Sequence, residues 1–438
     1  MAQTNKTVGI LTLGCKVNQY ESEAIGERFE ARGYRVLPAE DPCDIYIINT
    51  CTVTAESDRK ARQSIRRAIA RNPEALVLVT GCLAETSPES IADIEGVDYI
   101  GGNADKCTIV EAAERLLASG KKQEPETHRL PLEGAPFEAM SIQKFDRTRA
   151  YIKIEDGCES HCTYCIIPKA RGSIRSKAPK DVIREVKSLT ENGCREVVLT
   201  GIETASYGRD LGGYTLADLL EEVDAIPNVG RVRLGSLDPT LMKQDFVDRI
   251  ARLPSLAPHF HLSMQSGSDN ILRLMKRKYN TETALANIER LRRALPRVML
   301  TTDMIVGFPG ESEADFEATL AFAEKAEFLT MHVFPFSGRR GTPAAAMGGQ
   351  IPMELRRKRA ALLSELEASI RTKILKREIR ETPLTEVLFE EYKNGYALGH
   401  TANFIEVRAK SDRDLRATFK RVRLCHTDGN IVDAEILE

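Results

Sequence analysis

A chain of 438 residues, 42% hydrophobic and 29% charged with a formal net charge of −2, has the composition of a globular protein of two to four domains. No apolar run reaches the roughly 18 residues of a membrane span, and a charge this close to neutral means that any nucleic-acid surface must be local. The opening MAQTNKTVGILTLGC enters an apolar run with no basic leader, so a cytoplasmic protein without a membrane partner is expected, its ten cysteines serving as ligands, catalysts or core residues rather than disulfides.

In residues 5–120 the runs TVGILTLG, DIYIINT, ALVLVTG and VDYIGG predict buried parallel strands. ESEAIGERFEARG, ESDRKARQSIRRAIARN and IVEAAERLLASG predict helices between them. That alternation predicts an N-terminal doubly wound parallel sheet. Residues 121–148, rich in Pro and charge without sustained periodicity, predict a linker. Between 149 and 374, six strand candidates (YIKIEDG, EVVLTG, RVRLGS, HFHLSMQS, VMLTTDMIVGF and LTMHVFPFS) alternate with helices. Six units cannot close the usual eight-stranded barrel, so a partial (β/α)6 barrel is expected, with its working residues at the C-terminal strand ends. A long helix, MELRRKRAALLSELEASIRTKILKRE, follows. Residues 375–438 hold five short strand candidates with turns between them, PLTEVLFEE, GYALGHT, FIEVRAK, ATFKRVRLC and IVDAEI, which predict a small antiparallel β barrel. The fold class is α/β multidomain.

The segment GCESHCTYC sets Cys158, Cys162 and Cys165 just after the first barrel strand. Three thiolates leave a fourth coordination position open, as catalytic metal sites do. The spacing suits an iron–sulfur cluster with one open iron, or a zinc knuckle completed by His161 or a distant ligand. In the N-terminal domain LTLGC, IINTC and LVTGC end at Cys15, Cys51 and Cys82, each directly after an apolar run. Parallel strands deliver their C-terminal ends to one sheet edge, where open α/β sheets bind ligands, so these three can converge on a second cluster. Cys43, Cys107, Cys194 and Cys425 read as core residues.

Polar residues crowd the barrel strand ends: Thr200, Gly201 and Glu203; Ser236 and Asp238; Gln265, Ser266 and Gly267; Asp303. As a set they would serve an amino acid and a nucleoside bound beside the cluster, although strand-end turns favour the same residue types. Residues 272–297 carry eight Lys or Arg against two Glu, and 353–378 eight against four Glu, which is either a solvated helix face or a phosphate track. Tyr392, Tyr396, His400 and Phe404 are the candidate exposed rings of the C-terminal barrel, a fold of the size used by single-strand RNA readers.

GCESHCTYC resembles the cluster motif of the radical S-adenosylmethionine enzymes. Together with LGCKVNQYES, NTCTVT, VTGC, LTGIETASYG, HLSMQSGSD, DMIVGFPGE and HVFPFSGRRGTPAA, it is similar to the methylthiotransferases over nearly the whole chain. The C-terminal barrel resembles their RNA-binding TRAM domain. Among subfamilies, GCKVNQYES, NTCTVT and CTYCIIPKARG most resemble the enzymes acting on N6-threonylcarbamoyladenosine (t6A) next to the tRNA anticodon. The resemblance implies two 4Fe–4S clusters, one on Cys158, Cys162 and Cys165 that binds S-adenosylmethionine, and an auxiliary one on Cys15, Cys51 and Cys82. It implies a cofactor pocket at Gly201, Ser236, Gln265 and Asp303, with Glu203 at a position where the family's side chain varies. The partners implied are the tRNA anticodon stem-loop, an electron donor and a sulfur source. An anionic threonyl group needs a cation, and Arg339 and Arg340 at the last barrel strand are the candidates. The alternatives are a methylthiotransferase for isopentenyladenosine in tRNA or for a ribosomal-protein aspartate, and a zinc-stabilised RNA-binding protein.

Overall fold

The computed structural model describes residues 5–121, 124–145 and 148–437. The N-terminal unit runs β1 (Thr7–Thr12), α1 (Lys16–Ala31), β2 (Arg35–Leu37), β3 (Ile45–Thr50), α2 (Ala55–Arg71), β4 (Leu76–Gly81), α3 (Cys82–Thr86), α4 (Glu89–Ala92), β5 (Tyr99–Gly101), α5 (Ile109–Ser119) and β6 (Glu126–His128). Its sheet has the order β2-β1-β3-β4-β5-β6 with every pairing parallel. Strands β3 and β4 are buried at every position, which is why they read as unbroken apolar runs. On one face Ala61 and Ile65 of α2 pack over Tyr46, Ile48, Val77 and Val79. On the other, Ile25 and Phe29 of α1 and Ala112 and Leu116 of α5 pack over Ile47 and Leu78. The sheet is therefore doubly wound, as expected.

The stretch expected as a linker is partly built into the fold. Residues 126–128 supply β6, and Met140 and Ile142 are buried in the central core. Part of it, residues 122–123 and 146–147, lies outside the described residues.

The central unit runs β7 (Arg149–Lys153), β8 (Glu155–Asp156), α6 (Ile167–Arg171), β9 (Arg175–Ser176), α7 (Pro179–Glu191), β10 (Glu196–Thr200), α8 (Leu216–Asp224), β11 (Arg231–Leu234), α9 (Gln244–Ile250), β12 (His259–Gln265), α10 (Asp269–Leu274), α11 (Thr281–Ala294), β13 (Met299–Val306), α12 (Glu313–Ala326), β14 (Thr330–Pro335), α13 (Pro343–Ala346) and α14 (Met353–Glu381). Two parallel sheets, β11-β10-β7 and β12-β13-β14, are linked by parallel bridges Val232–Leu256 and Leu237–Leu262. This is the expected six-stranded partial barrel, open between β7 and β14. Helix α1 packs on β7 at one open edge and α14 on β14 at the other. The predicted strand YIKIEDG is split, because β8 turns away to pair antiparallel with β9.

β15 (Leu384–Lys393), β16 (Tyr396–Thr401), β17 (Glu406–Lys410), β18 (Thr418–Thr427) and β19 (Val432–Ile436) close a barrel in the order β15-β16-β17-β19-β18. The barrel docks on the beginnings of the central strands. Arg233 donates to the carbonyls of Thr401 and Ala402 at 2.9 Å, and Phe404 stacks between His259 and His400 with centroids 4.3 and 4.7 Å away. Of the four rings expected at its surface only Tyr396 is exposed; Tyr392, His400 and Phe404 are half-buried.

Candidate functional site

Two sets of cysteines lie at the strand ends opposite the C-terminal barrel. In the first, Cys15 caps α1, Cys51 follows β3 and Cys82 opens α3 directly after β4. They straddle β1 and β3, where the strand order reverses. Gly14, at φ +100°, lets two of these loops touch, because a Cβ there would lie 2.8 Å from the sulfur of Cys51. Asn18 laces them together, donating to the carbonyls of Leu13 at 2.7 Å and Thr50 at 2.9 Å. Burial raises the Cys51 thiol to about 11, and the charges of Cys82 and Cys15 add to the rise. Burial raises Cys15 as well, with Cys82 contributing.

Beneath this set lies a fully buried ionic network. Arg171 donates from Nε to the sulfur of Cys82 at 3.3 Å, from Nη1 to Glu21 at 2.6 Å and from Nη2 to Asn18 at 2.6 Å. Lys153 joins Glu21 at 2.7 Å and Asp156 at 2.6 Å, Lys106 pairs with Glu21, and Arg175 reaches Asp156 at 3.3 Å. Although burial opposes it, Arg171, Lys106 and Lys153 hold the Glu21 carboxyl well below the usual range. Four cations thus share two carboxylates, and the surplus positive charge faces Cys82. Arg171 draws its partners from positions 15 to 153 residues away in the chain.

Cys158, Cys162 and Cys165 occupy the loop between β8 and α6. The loop is pinned by Cys158 N–H to the Gly172 carbonyl at 3.0 Å and by Thr163 N–H to the Met275 carbonyl at 3.2 Å. A second buried guanidinium, Arg277, donates to the sulfur of Cys162 at 3.3 Å and is steadied by Asp238 at 2.8 Å and the Ser263 carbonyl at 3.0 Å. Burial raises the Cys165 thiol to about 11, and the neighbouring Cys162 charge adds to it. Among the described residues no three His, Cys, Asp or Glu side chains close on one metal position. His161 is exposed and hydrogen-bonds to none of the cysteines. Thiols that couple electrostatically yet do not close on one point suit a polynuclear iron–sulfur group better than a single zinc ion, whose sulfur ligands sit about 2.3 Å from the metal.

Of the expected pocket residues, Glu203 touches the second set. Glu203 accepts from the thiol of Cys158 at 3.0 Å. At Gly201 a Cβ would meet Glu155 Oε2 at 2.5 Å, so a side chain there would displace the Glu155 carboxylate. Ser236 is exposed just past β11. Gln265 ends β12 at φ +67°, a strained conformation for a residue with a Cβ. Asp303 lies between His332 at 3.2 Å and His261 at 3.4 Å; these two pull its carboxyl below the usual range against its burial.

Arg339 already has partners within the chain. Its guanidinium is committed to Asp58 at 2.8 Å and Thr52 at 2.6 Å, tying the last barrel strand to the N-terminal unit. Arg340 is exposed and makes no ion pair among the described residues. The basic runs are also largely spent on structure: Arg277, Arg290, Arg292, Arg356, Arg359 and Arg371 bond to groups within the chain.

Residues 152–323 match the family model described as the radical SAM superfamily, and residues 7–102 that described as uncharacterized protein family UPF0004. The chain is 38% identical over 430 residues to "Threonylcarbamoyladenosine tRNA methylthiotransferase MtaB" of Bacillus subtilis, covering 95% of this chain and 93% of that protein. It is 33% identical to "tRNA-2-methylthio-N(6)-dimethylallyladenosine synthase" of Aquifex aeolicus, covering 99% of each. Among solved structures, the radical S-adenosylmethionine methyltransferase TsrM of Kitasatospora setae superposes with a TM-score of 0.57 at 17% identity, covering 78% of this chain and 77% of that one. No helix among the described residues is long and apolar enough to cross a membrane. With the doubly wound N-terminal sheet, the six-stranded barrel and the closed C-terminal barrel in place, these likenesses show that the chain belongs to the radical S-adenosylmethionine tRNA methylthiotransferase family.

Proposed function

We propose that the protein adds a methylthio group to C2 of t6A next to the tRNA anticodon, using two 4Fe–4S clusters and S-adenosylmethionine, with an external electron donor and sulfur source. The observation that carries this reading is the pair of three-cysteine sets, each with one sulfur bonded to a buried guanidinium and both at the same end of the strands. Cys158, Cys162 and Cys165 would hold the cluster that binds S-adenosylmethionine, and Cys15, Cys51 and Cys82 the auxiliary one. When bound, these groups supply electron delivery, a radical able to abstract hydrogen, and the methyl and sulfur to be transferred. Such chemistry is needed because adenine C2–H carries no acidic proton for a side chain to remove.

The chain's own residues hold and shield. Arg171 and Arg277 donate to the sulfurs of Cys82 and Cys162, a second layer of contacts that would orient these side chains for ligation. Gly201 leaves room for the Glu155 carboxylate, while Asp303, flanked by His261 and His332, offers an ionised acceptor within the barrel. The threonylcarbamoyl substrate rests on the names of the nearer relatives, at 38% identity for the Bacillus protein against 33% for the dimethylallyladenosine enzyme. The C-terminal barrel is assigned to tRNA binding, and the cytoplasm follows as the compartment of that substrate.

Two measurements test this. The triple variant Cys158→Ala, Cys162→Ala, Cys165→Ala is expected to halve bound iron and to abolish S-adenosylmethionine cleavage. Cys15→Ala, Cys51→Ala, Cys82→Ala is expected to halve the iron, leave cleavage measurable and stop methylthiolation. Wild-type iron amounting to one cluster, undiminished in the N-terminal variant, overturns the two-cluster reading. Nucleoside analysis of tRNA from a deletion strain should show loss of the 2-methylthio form of t6A, with the isopentenyl counterpart unchanged.

A further inference from the structure

Along β12, β13 and β14 the side chains alternate between two environments. Leu262, Met264, Met304, Val306 and Met331 are buried in the central core with Phe316 of α12. The residues between them therefore face the concave interior of the partial barrel. On that face polar side chains from three neighbouring strands join. His332 sits opposite Asp303 in the register of β13 and β14, with its Nδ1 3.2 Å from Oδ1 of Asp303. His261 of β12 reaches the second carboxylate oxygen at 3.4 Å and is itself fixed through Nδ1 to the Thr301 hydroxyl at 3.0 Å.

Against its burial, His261 and His332 hold Asp303 ionised. The carboxylate therefore accepts from Nδ1 of His332, which leaves Nε2 as the free nitrogen. That nitrogen makes no hydrogen bond among the described residues, and the His332 side chain is 58% exposed. Asp303 keeps 31% of its own side chain open. The other charges that bear on His332 are Glu367 of α14 and Lys16 of α1. Two residues nearer the strand end, and so on the same face, Phe334 is 46% exposed and has no ring partner among the described residues. The wall thus offers a ring for a planar base, and below it a donor and an anionic acceptor on adjoining strands.

We propose that Asp303 and His332 are the specificity-determining pair that reads the threonyl end of the substrate's N6 substituent, His332 donating to its carboxylate and Asp303 accepting from its hydroxyl. This rests on the t6A reading above and gives the carboxylate a cation other than Arg339, which Asp58 already occupies. The threonyl group carries its carboxylate and its hydroxyl on adjacent carbons, which suits a donor and an acceptor set side by side. An imidazolium has two N–H donors and can serve two carboxylates, one at each nitrogen. The pair lies three residues before the ends of β13 and β14, about 10 Å below the strand ends. In a purine only N1 separates C2 from the carbon that bears N6. A base stacked at Phe334 with C2 towards the cysteines can therefore send its N6 arm down this wall. A hydrocarbon arm leaves both polar groups without partners and is rejected for that reason. The ribose hydroxyls and methionine carboxylate of S-adenosylmethionine have the same chemistry and are the rival source of these contacts.

The test compares fluorescence-anisotropy affinities of three anticodon stem-loops for the cluster-reconstituted enzyme. One carries t6A, one its threonyl methyl ester, and one the deoxy analogue built on α-aminobutyrate, which lacks only the hydroxyl. Wild type is expected to bind the ester and the deoxy analogue each about tenfold more weakly than t6A. His332→Gln should shrink the ester penalty to less than about twofold and keep the deoxy penalty, whereas Asp303→Ala should lose the deoxy penalty. S-adenosylmethionine affinity, measured in parallel, should be the same in all three proteins. A penalty unchanged in its own variant overturns the proposal, as does loss of S-adenosylmethionine affinity with the penalties intact. Should Asp303→Ala fail to retain iron, the wild type is treated with diethyl pyrocarbonate and carbethoxylation of His332 is followed by mass spectrometry. Protection by the t6A stem-loop and not by S-adenosylmethionine alone supports the assignment. Protection by S-adenosylmethionine alone, or none by the stem-loop, overturns it. Wild type that modifies isopentenyladenosine stem-loops and not t6A refutes the substrate reading itself, a result distinct from any of these.

Discussion

Arg171 and Arg277 each set a guanidinium 3.3 Å from one sulfur, the first on Cys82 and the second on Cys162. Donors to ligating sulfur tune the potential and basicity of iron–sulfur centres, so under the proposed two-cluster reading each triad would carry its own adjustment. Deeper in the barrel, Asp303 and His332 form a pair with a defined pH window. Asp303 raises the His332 imidazole above its ordinary value; that contribution is complete at low pH and is lost as pH rises through the raised value. Asp303 is depressed below its ordinary value despite burial, so its share is present above the unfolded carboxylate value and is lost as pH falls through the depressed one. The pair therefore persists from acid to near-neutral pH. NMR titration should place the His332 midpoint above the reference of about 6.5, and Asp303→Asn should bring it back to that value or lower. An unshifted wild-type midpoint defeats the assignment. The six cysteines were legible because each stands in its own local context, a strand end or a short loop. The role of Arg339 was not, since Asp58 lies 281 residues away in the chain.

Element by element, legibility followed burial and length. IYIINT and LVLVTG announced β3 and β4 because both faces are covered, whereas β2 and β6 have three residues each, too few to show a period. The rings of the C-terminal barrel were misread for a related reason: alternation along β16 does not reveal that the turn after it is inserted into another domain. Phe404 sits in that turn at φ +74°, a conformation costing about 1 kcal/mol for a residue with a Cβ, and is held by His259, His400 and the guanidinium of Arg233, 5.0 Å from its ring centroid. Phe404→Ala removes the stack and keeps the strain, and is expected to cost about 2–4 kcal/mol of barrel docking. Phe404→Gly removes the same stack but relieves the backbone, so it should be the milder of the two, against the usual ranking. Limited proteolysis between α14 and β15 reads the docking. Equal cleavage of wild type and Phe404→Ala contradicts the latch.

At the scale of the whole molecule, the C-terminal barrel covers the beginnings of the central strands while both cysteine sets lie at the other end. An RNA touching both must therefore lie along the side of the partial barrel. Its phosphates cannot count on the basic helices as a block, because Arg277, Arg359 and Arg371 are held internally. The cations left for RNA include Arg421 on β18 and Lys393 at the end of β15, both exposed, and Arg423 on β18, exposed and only loosely paired with Glu435 at 3.9 Å. Removing the barrel would also strip Arg231 and Arg233 of their hydrogen bonds to residues 400–402, so truncation mixes RNA binding with damage to the core. Charge neutralisation separates the two. Replacing Lys393, Arg421 and Arg423 with Gln should leave the melting temperature unchanged, because surface substitutions of this kind are close to neutral. The same change should weaken tRNA binding at low salt and make its log-affinity against log-salt plot shallower by roughly 0.7–0.9 for each phosphate that is no longer neutralised. An unchanged slope moves the phosphate track off this face of the barrel and onto cations that make no ion pair among the described residues, Lys276 and Lys278 between α10 and α11, Arg293 on α11, and Lys373 and Lys376 on α14.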